Sequence, residues 1–202
     1  MITVPFIIVL TVLAVNFGKL IRKQNVKLYI GFFVLAVLSF ILRYKLPFTE
    51  PINQGYLGFS FLYIVMFTGA LKKKSKLRIK LMSIRREYSI IGFILLTPHS
   101  LKYLFEFFNK EIRFEWFGVI PYLIMLPLFI TSFMVIRKRM TQRTWVNIQR
   151  YAYIAYILIF IHLIIVAEFP NLAVYIVLFV PYITLKLFME ITSYLKQKQQ
   201  SV

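Results

Sequence analysis

Tyr88–Phe108 reads YSIIGFILLTPHSLKYLFEFF. A run of about 20 mainly apolar residues is long enough for a helix to cross the hydrocarbon core of a bilayer. Apolar residues fall on every side of the predicted helix, so it lacks the wide polar face of a helix on a soluble protein. Working outward, six more segments have the same character: Ile2–Phe17, Leu28–Leu42, Tyr56–Leu71, Trp116–Ile136, Tyr151–Ala167 and Leu172–Leu187. The chain is 202 residues long and 60% apolar, with only 16% charged. The predicted fold class is therefore an all-α integral membrane protein, a helical bundle of about seven transmembrane helices.

The charges between the segments set the orientation. Loops one, three and five are basic: Lys19, Arg22, Lys23 and Lys27; then Lys72 to Arg86; then Arg137, Lys138, Arg139, Arg143 and Arg150. Loop two carries Arg43, Lys45 and Glu50. Loop four balances Lys110 and Arg113 against Glu111 and Glu115, and loop six holds only Glu168. Lys and Arg concentrate on the cytoplasmic side of membrane proteins. The N-terminus is thus expected outside, and the C-terminus, with Lys196 and Lys198, in the cytoplasm. The first segment has no basic residue before it and no small-residue cleavage pattern after it, so it reads as a retained span rather than a signal peptide. No internal repeat is evident. Residues 1–27 read as an extra span with its basic loop, 28–190 as the functional bundle and 191–202 as a short polar cytoplasmic tail.

Composition excludes several chemistries. There is no Cys, hence no disulfide, thiol nucleophile or Cys-ligated cluster. All seven acids are Glu, and no glycine-rich phosphate loop can be written, so the chain has no nucleotide-binding domain of its own. The net charge of +18 belongs to loops between apolar spans, which argues against nucleic acid as partner. Membrane lipid is the expected surroundings, in a bacterial cell membrane crossed several times.

Two histidines remain, His99 and His162. Ionisable residues inside spans default to a functional reading. At about 1.5 Å per residue, the two lie roughly 17 and 18 Å from the cytoplasmic edge, on helices that run the same way. Two imidazoles are too few for structural zinc. They suffice as axial ligands of a haem iron, whose porphyrin supplies the other four nitrogens. The bland reading is an interhelical hydrogen bond from each ring. Pro98 predicts a local widening of its helix. Lys102, one turn beyond His99, is positioned for a haem propionate, and equally for Glu106 at i,i+4.

The stretch from about Gly55 to Ala167 resembles the ferric reductase-like transmembrane family. It is most similar to the MsrQ branch, the haem-binding membrane subunits of methionine sulfoxide reductase systems. The residues that carry the resemblance are Arg85-Arg86, His99, and Trp145-x-x-Ile148-Gln149-Arg150-Tyr151-x-Tyr153 followed by His162. The chain departs from the pattern at Gln149, where the branch has a His, and at Arg85, where two-haem relatives have a His 14 residues before the one matching His99. The resemblance thus implies one haem b in the outer half, held by His99 and His162, with the inner-haem positions lost. It also implies electron transfer from a cytoplasmic flavin reductase or membrane quinol to an extracytoplasmic redox protein, with FMN as a possible second cofactor. Tyr151, Tyr153, Arg85, Arg86 and Arg150 would lie near the entering electrons. Whether such a subunit counts as an enzyme by itself is left open. The alternatives are a small proton-coupled permease, with the two His as a relay, or a scaffold of the same fold without a cofactor.

Overall fold

The computed structural model describes residues 2–112 and 114–200, with backbone alone at 193 and 196–200. Arg113 and the side chains of Lys196 and Lys198 lie outside the described residues. The elements are α1 (Thr3–Lys23), α2 (Asn25–Ile41), a 3-10 turn (Pro47–Thr49), α3 (Glu50–Asn53), α4 (Tyr56–Thr68), α5 (Lys76–Met82), α6 (Arg85–Phe108), α7 (Trp116–Ser132), α8 (Met134–Arg137), α9 (Gln142–Val166) and α10 (Asn171–Gln200). No strand occurs among the described residues.

Each of the seven apolar segments is helical. Four helices are long and apolar enough to cross a membrane: α1, α6, α9 and the stretch Asn171–Thr192 of α10. The apolar helices α2 and α7 have 17 residues each, about 26 Å at the helical rise. The 13-residue α4 is shorter still, about 20 Å. It is also the most enclosed element, buried from Gly58 through Met66. A short helix at membrane depth is tolerated where protein, not lipid, surrounds it.

α4 can sit at the centre because its neighbours come unusually close. A Cβ on Gly58 would stand 2.8 Å from the backbone nitrogen of Leu96, so α4 and α6 pack almost backbone to backbone. Small residues permit this kind of contact, which drives association where lipid removes the hydrophobic incentive. The outer faces are apolar and exposed, as at Phe33, Ile157 and Val177, in keeping with lipid as surroundings.

Contacts define the helix directions. Ser60 at the start of α4 donates to the Thr3 carbonyl, and the Tyr88 hydroxyl near the start of α6 donates to Leu10. Trp145 and Gln149, early in α9, hydrogen-bond residues late in α7. α4, α7 and α10 therefore run opposite to α6 and α9. One end of the bundle gathers the starts of α4 and α7 with the C-terminal halves of α6 and α9; it carries a cavity and is called the cavity end. The basic end lies opposite.

Two details differ from the sequence reading. The first basic loop is almost wholly helical: only Gln24 interrupts α1 and α2, with φ −103° and ψ 18°. Lys and Arg are good helix formers, so their charge marks a membrane boundary without breaking the helix. For the same reason the residues read as a polar tail continue α10 to Gln200.

Candidate functional site

His99 stands on the fourth turn of α6, one residue after Pro98. α6 stays helical through the proline, whose ring is buried. The His99 Nδ1 lies 3.2 Å from the Asn53 carbonyl oxygen. A carbonyl only accepts, so Nδ1 carries the proton and donates, and Nε2 keeps its lone pair. Hydrogen bonding of the second ring nitrogen is the usual way a metal-binding imidazole is oriented.

Asn53 is itself fixed. Its side-chain Nδ2 donates to the carbonyls of Ser39 and Thr49, at 3.0 and 3.1 Å. The next corner residue, Gly55, has φ +77°, the left-handed region that favours glycine. A Cβ there would also meet the His99 ring at 3.1 Å. Tyr103 packs edge-on to that ring, at 4.8 Å between centroids, and its hydroxyl donates to Gln54. His99 is thus held by the α3–α4 corner on one side and Tyr103 on the other.

His162 is built from fewer parts. Its ring lies on Gly118 in the first turn of α7, where a Cβ would meet Cε1 at 3.1 Å. Its Nδ1 is buried and has no hydrogen-bond partner. A buried imidazole nitrogen without a partner carries a desolvation cost, which a bound group that orders the ring would help offset.

Both histidines line one cavity of about 580 Å³, within the range of about 300–1,000 Å³ common for bound small molecules. The two rings are near enough to interact electrostatically. The walls are largely apolar and aromatic, including Phe59, Leu62, Leu96, Phe107, Met125 and Ile159. Polar groups sit among them: Gln54, Ser100, Tyr103, Tyr122, Asn171, and the carboxylates Glu115 and Glu168. Two histidines from different helices, a flat glycine backing behind each ring and an apolar enclosure are what a bis-histidine haem requires. Among the described residues, no group of three or more His, Cys, Asp or Glu gathers as a metal-ion site.

The other residues singled out in the sequence lie elsewhere. Lys102 pairs with Glu106 at 3.8 Å and does not line the cavity. Arg86 forms an ion pair with the buried Glu87. Arg85 interacts with Tyr156 and Tyr182 between α9 and α10. Gln149 donates to the Thr131 hydroxyl at 3.2 Å. Tyr151 and Arg150 are exposed, and Tyr153 receives a hydrogen bond from Lys186. Sequence reasoning missed Asn53, Gly55, Gly118, Glu115 and Glu168. The polar run Asn53-Gln54-Gly55 between apolar segments was a signal for the first two. Gly118, inside an apolar run, gave none.

No protein-family model matches the chain, and no solved structure does. A curated relative, an uncharacterized protein of Treponema pallidum (strain Nichols), is 28% identical over 125 residues, covering 56% of this chain and 34% of that protein. The chain thus spans about a third of the length of the curated relative it matches.

Proposed function

We propose that the protein is a b-type haem electron carrier of the ferric reductase-like kind, a seven-span bundle in a bacterial cell membrane. Its N-terminus and cavity end face outward and its basic end faces the cytoplasm. The observation that carries the reading is the convergence of His99 and His162, the chain's two histidines, on one apolar cavity. Haem held between them would supply a one-electron ferric/ferrous couple. The residues present would do the rest. Asn53 and Tyr103 orient the first imidazole, Gly55 and Gly118 leave room for flat rings, and the aromatic walls exclude water.

Beside the cavity wall Phe179 stacks on Phe160 at 4.4 Å, and aromatic packing continues toward the basic end through Tyr63 and Phe67. A membrane quinol arriving from the side is therefore the favoured donor, ahead of a cytoplasmic flavin reductase or bound FMN. The acceptor is an extracytoplasmic redox protein that meets the cavity mouth near Glu115 and Glu168.

The test is a dithionite-reduced minus oxidised absorption spectrum of purified protein from haem-sufficient cells. A sharp low-spin b-type signal is expected, lost in both His99→Ala and His162→Ala. A folded protein without that signal would overturn the reading and leave a permease or a cofactor-free scaffold.

A further inference from the structure

The two histidines stand in equivalent places. Gly55 precedes His99 by 44 residues, and Gly118 precedes His162 by the same 44. In each case the glycine begins a helix that runs antiparallel to the histidine's helix, and a Cβ on it would meet the imidazole at 3.1 Å. The equivalence extends without a gap at a constant offset of 63. Tyr88 and Tyr151 each lie 11 residues before the histidine. Thr68 and Thr131 close the descending helices, and each hydroxyl donates to the carbonyl four residues back, at 2.6 and 2.7 Å. Gly92, packed against Phe61 and Leu62 of α4, corresponds to the fully buried Ala155.

The cavity shows the same rule. Phe59 and Tyr122, Leu62 and Met125, and Leu96 and Ile159 line it as pairs at that offset. At the basic end, Lys74, Lys76 and Lys80 correspond to Arg137, Arg139 and Arg143.

We infer that the bundle core is a duplicated helix pair, residues 55–108 and 118–171, and that Gly55 and Gly118 are its matched positioning residues, each setting the plane of one imidazole. Both units run in the same direction, so a pseudo-twofold axis along the bundle relates them, the parallel-repeat arrangement known in membrane transporters. A site on such an axis presents its two imidazoles from opposite sides to whatever lies between them. Few identities survive between the units; chain spacing and the matched glycine–imidazole contacts preserve the repeat, while Tyr88 is buried and Tyr151 exposed. The inference rests on the haem reading only for its redox consequence, since the ring contacts exist without a ligand.

The experiment uses the full chain with ring-15N-labelled histidine in detergent, where two histidines give two sets of ring signals. Gly118→Ala places a methyl group against His162 in the first turn of a helix, where alanine is the better helix former, so the melting temperature should hold or rise. Gly55→Asn keeps a residue type that tolerates positive φ and places a Cβ against His99. The expected result is reciprocal: Gly118→Ala shifts the His162 ring signals and spares those of His99, and Gly55→Asn does the reverse. Unmoved facing rings, or equal movement of both rings in either variant, would overturn the inference. In haem-loaded protein, each variant should also shift the low-spin electron paramagnetic resonance signal. If the protein binds no haem, the ring signals still decide the inference.

Discussion

The cavity end and the basic end are built from the same helices by opposite rules. At the cavity end, Glu50, Glu106, Glu111, Glu115 and Glu168 stand with the described bases Arg43, Lys45, Lys102 and Lys110, and the helices enclose an open volume. Among the described residues the basic end carries two acids, Glu87 and Glu190, and most of the bases. From the cavity wall toward that end, Phe59, Tyr63, Phe160 and Phe179 pack together, and Tyr63, Met66, Tyr156 and Phe179 border a void of only about 10 Å³. The polar groups at that end are committed to each other, Arg86 to Glu87 and Gln149 to Thr131. On the proposed haem reading, Arg85 and Gln149, the positions that would face an inner haem, already engage Tyr156 and Thr131.

Phe179→Ala should show the largest effect. It removes a ring that is 2% exposed from a filled layer and should cost about 3–5 kcal/mol in reversible unfolding. Leu104→Ala, beside the open cavity, should cost less than about 1.5 kcal/mol by the same measurement. Equal costs would erase the contrast between the ends.

Arg86→Ala strands the buried Glu87 carboxylate and should destabilise by about 3 kcal/mol. The haem spectrum of the fraction that stays folded should be unchanged, because this pair lies at the filled end.

Asn53→Ala acts on the cavity end. Losing its two buried hydrogen bonds should cost about 2 kcal/mol. Through the loosened His99 anchor, haem affinity should fall roughly 10–100-fold, as read by haem transfer to apomyoglobin. Stability lost with affinity intact would show that the Asn53 carbonyl holds His99 without help from the Asn53 side chain.

Lys102→Gln should do least. Its i,i+4 pair with Glu106 contributes about 0.5 kcal/mol or less, and haem content should not change. A large loss of haem would restore Lys102 to the propionate role that the sequence proposed.

The coarse fold was legible because apolar runs near span length have few alternatives, and all seven runs became helices. Their ends were less legible. Around Gln24 and beyond Leu187, basic residues suggested loops, yet Lys, Arg and Gln also favour helix, and the chain continued. His99 and His162 stood out by rarity and matched depth. Their supports did not. Asn53 acts through its backbone carbonyl, and Gly55 and Gly118 act by lacking a side chain, so their residue types announce no chemistry. Lys102 follows His99 by three residues yet pairs with Glu106 at 3.8 Å, the other partner that its spacing offered.

The most direct test of the central claim is the haem count per chain, by pyridine haemochrome against amino-acid analysis, in the wild type and in Arg85→His/Gln149→His. The account predicts one haem in each, because the partners of Arg85 and Gln149, Tyr156, Tyr182 and Thr131, remain packed between the helices at that end. Two haems in the wild type would contradict it outright, and two in the double variant would show that ligand loss alone, not packing, closed that end.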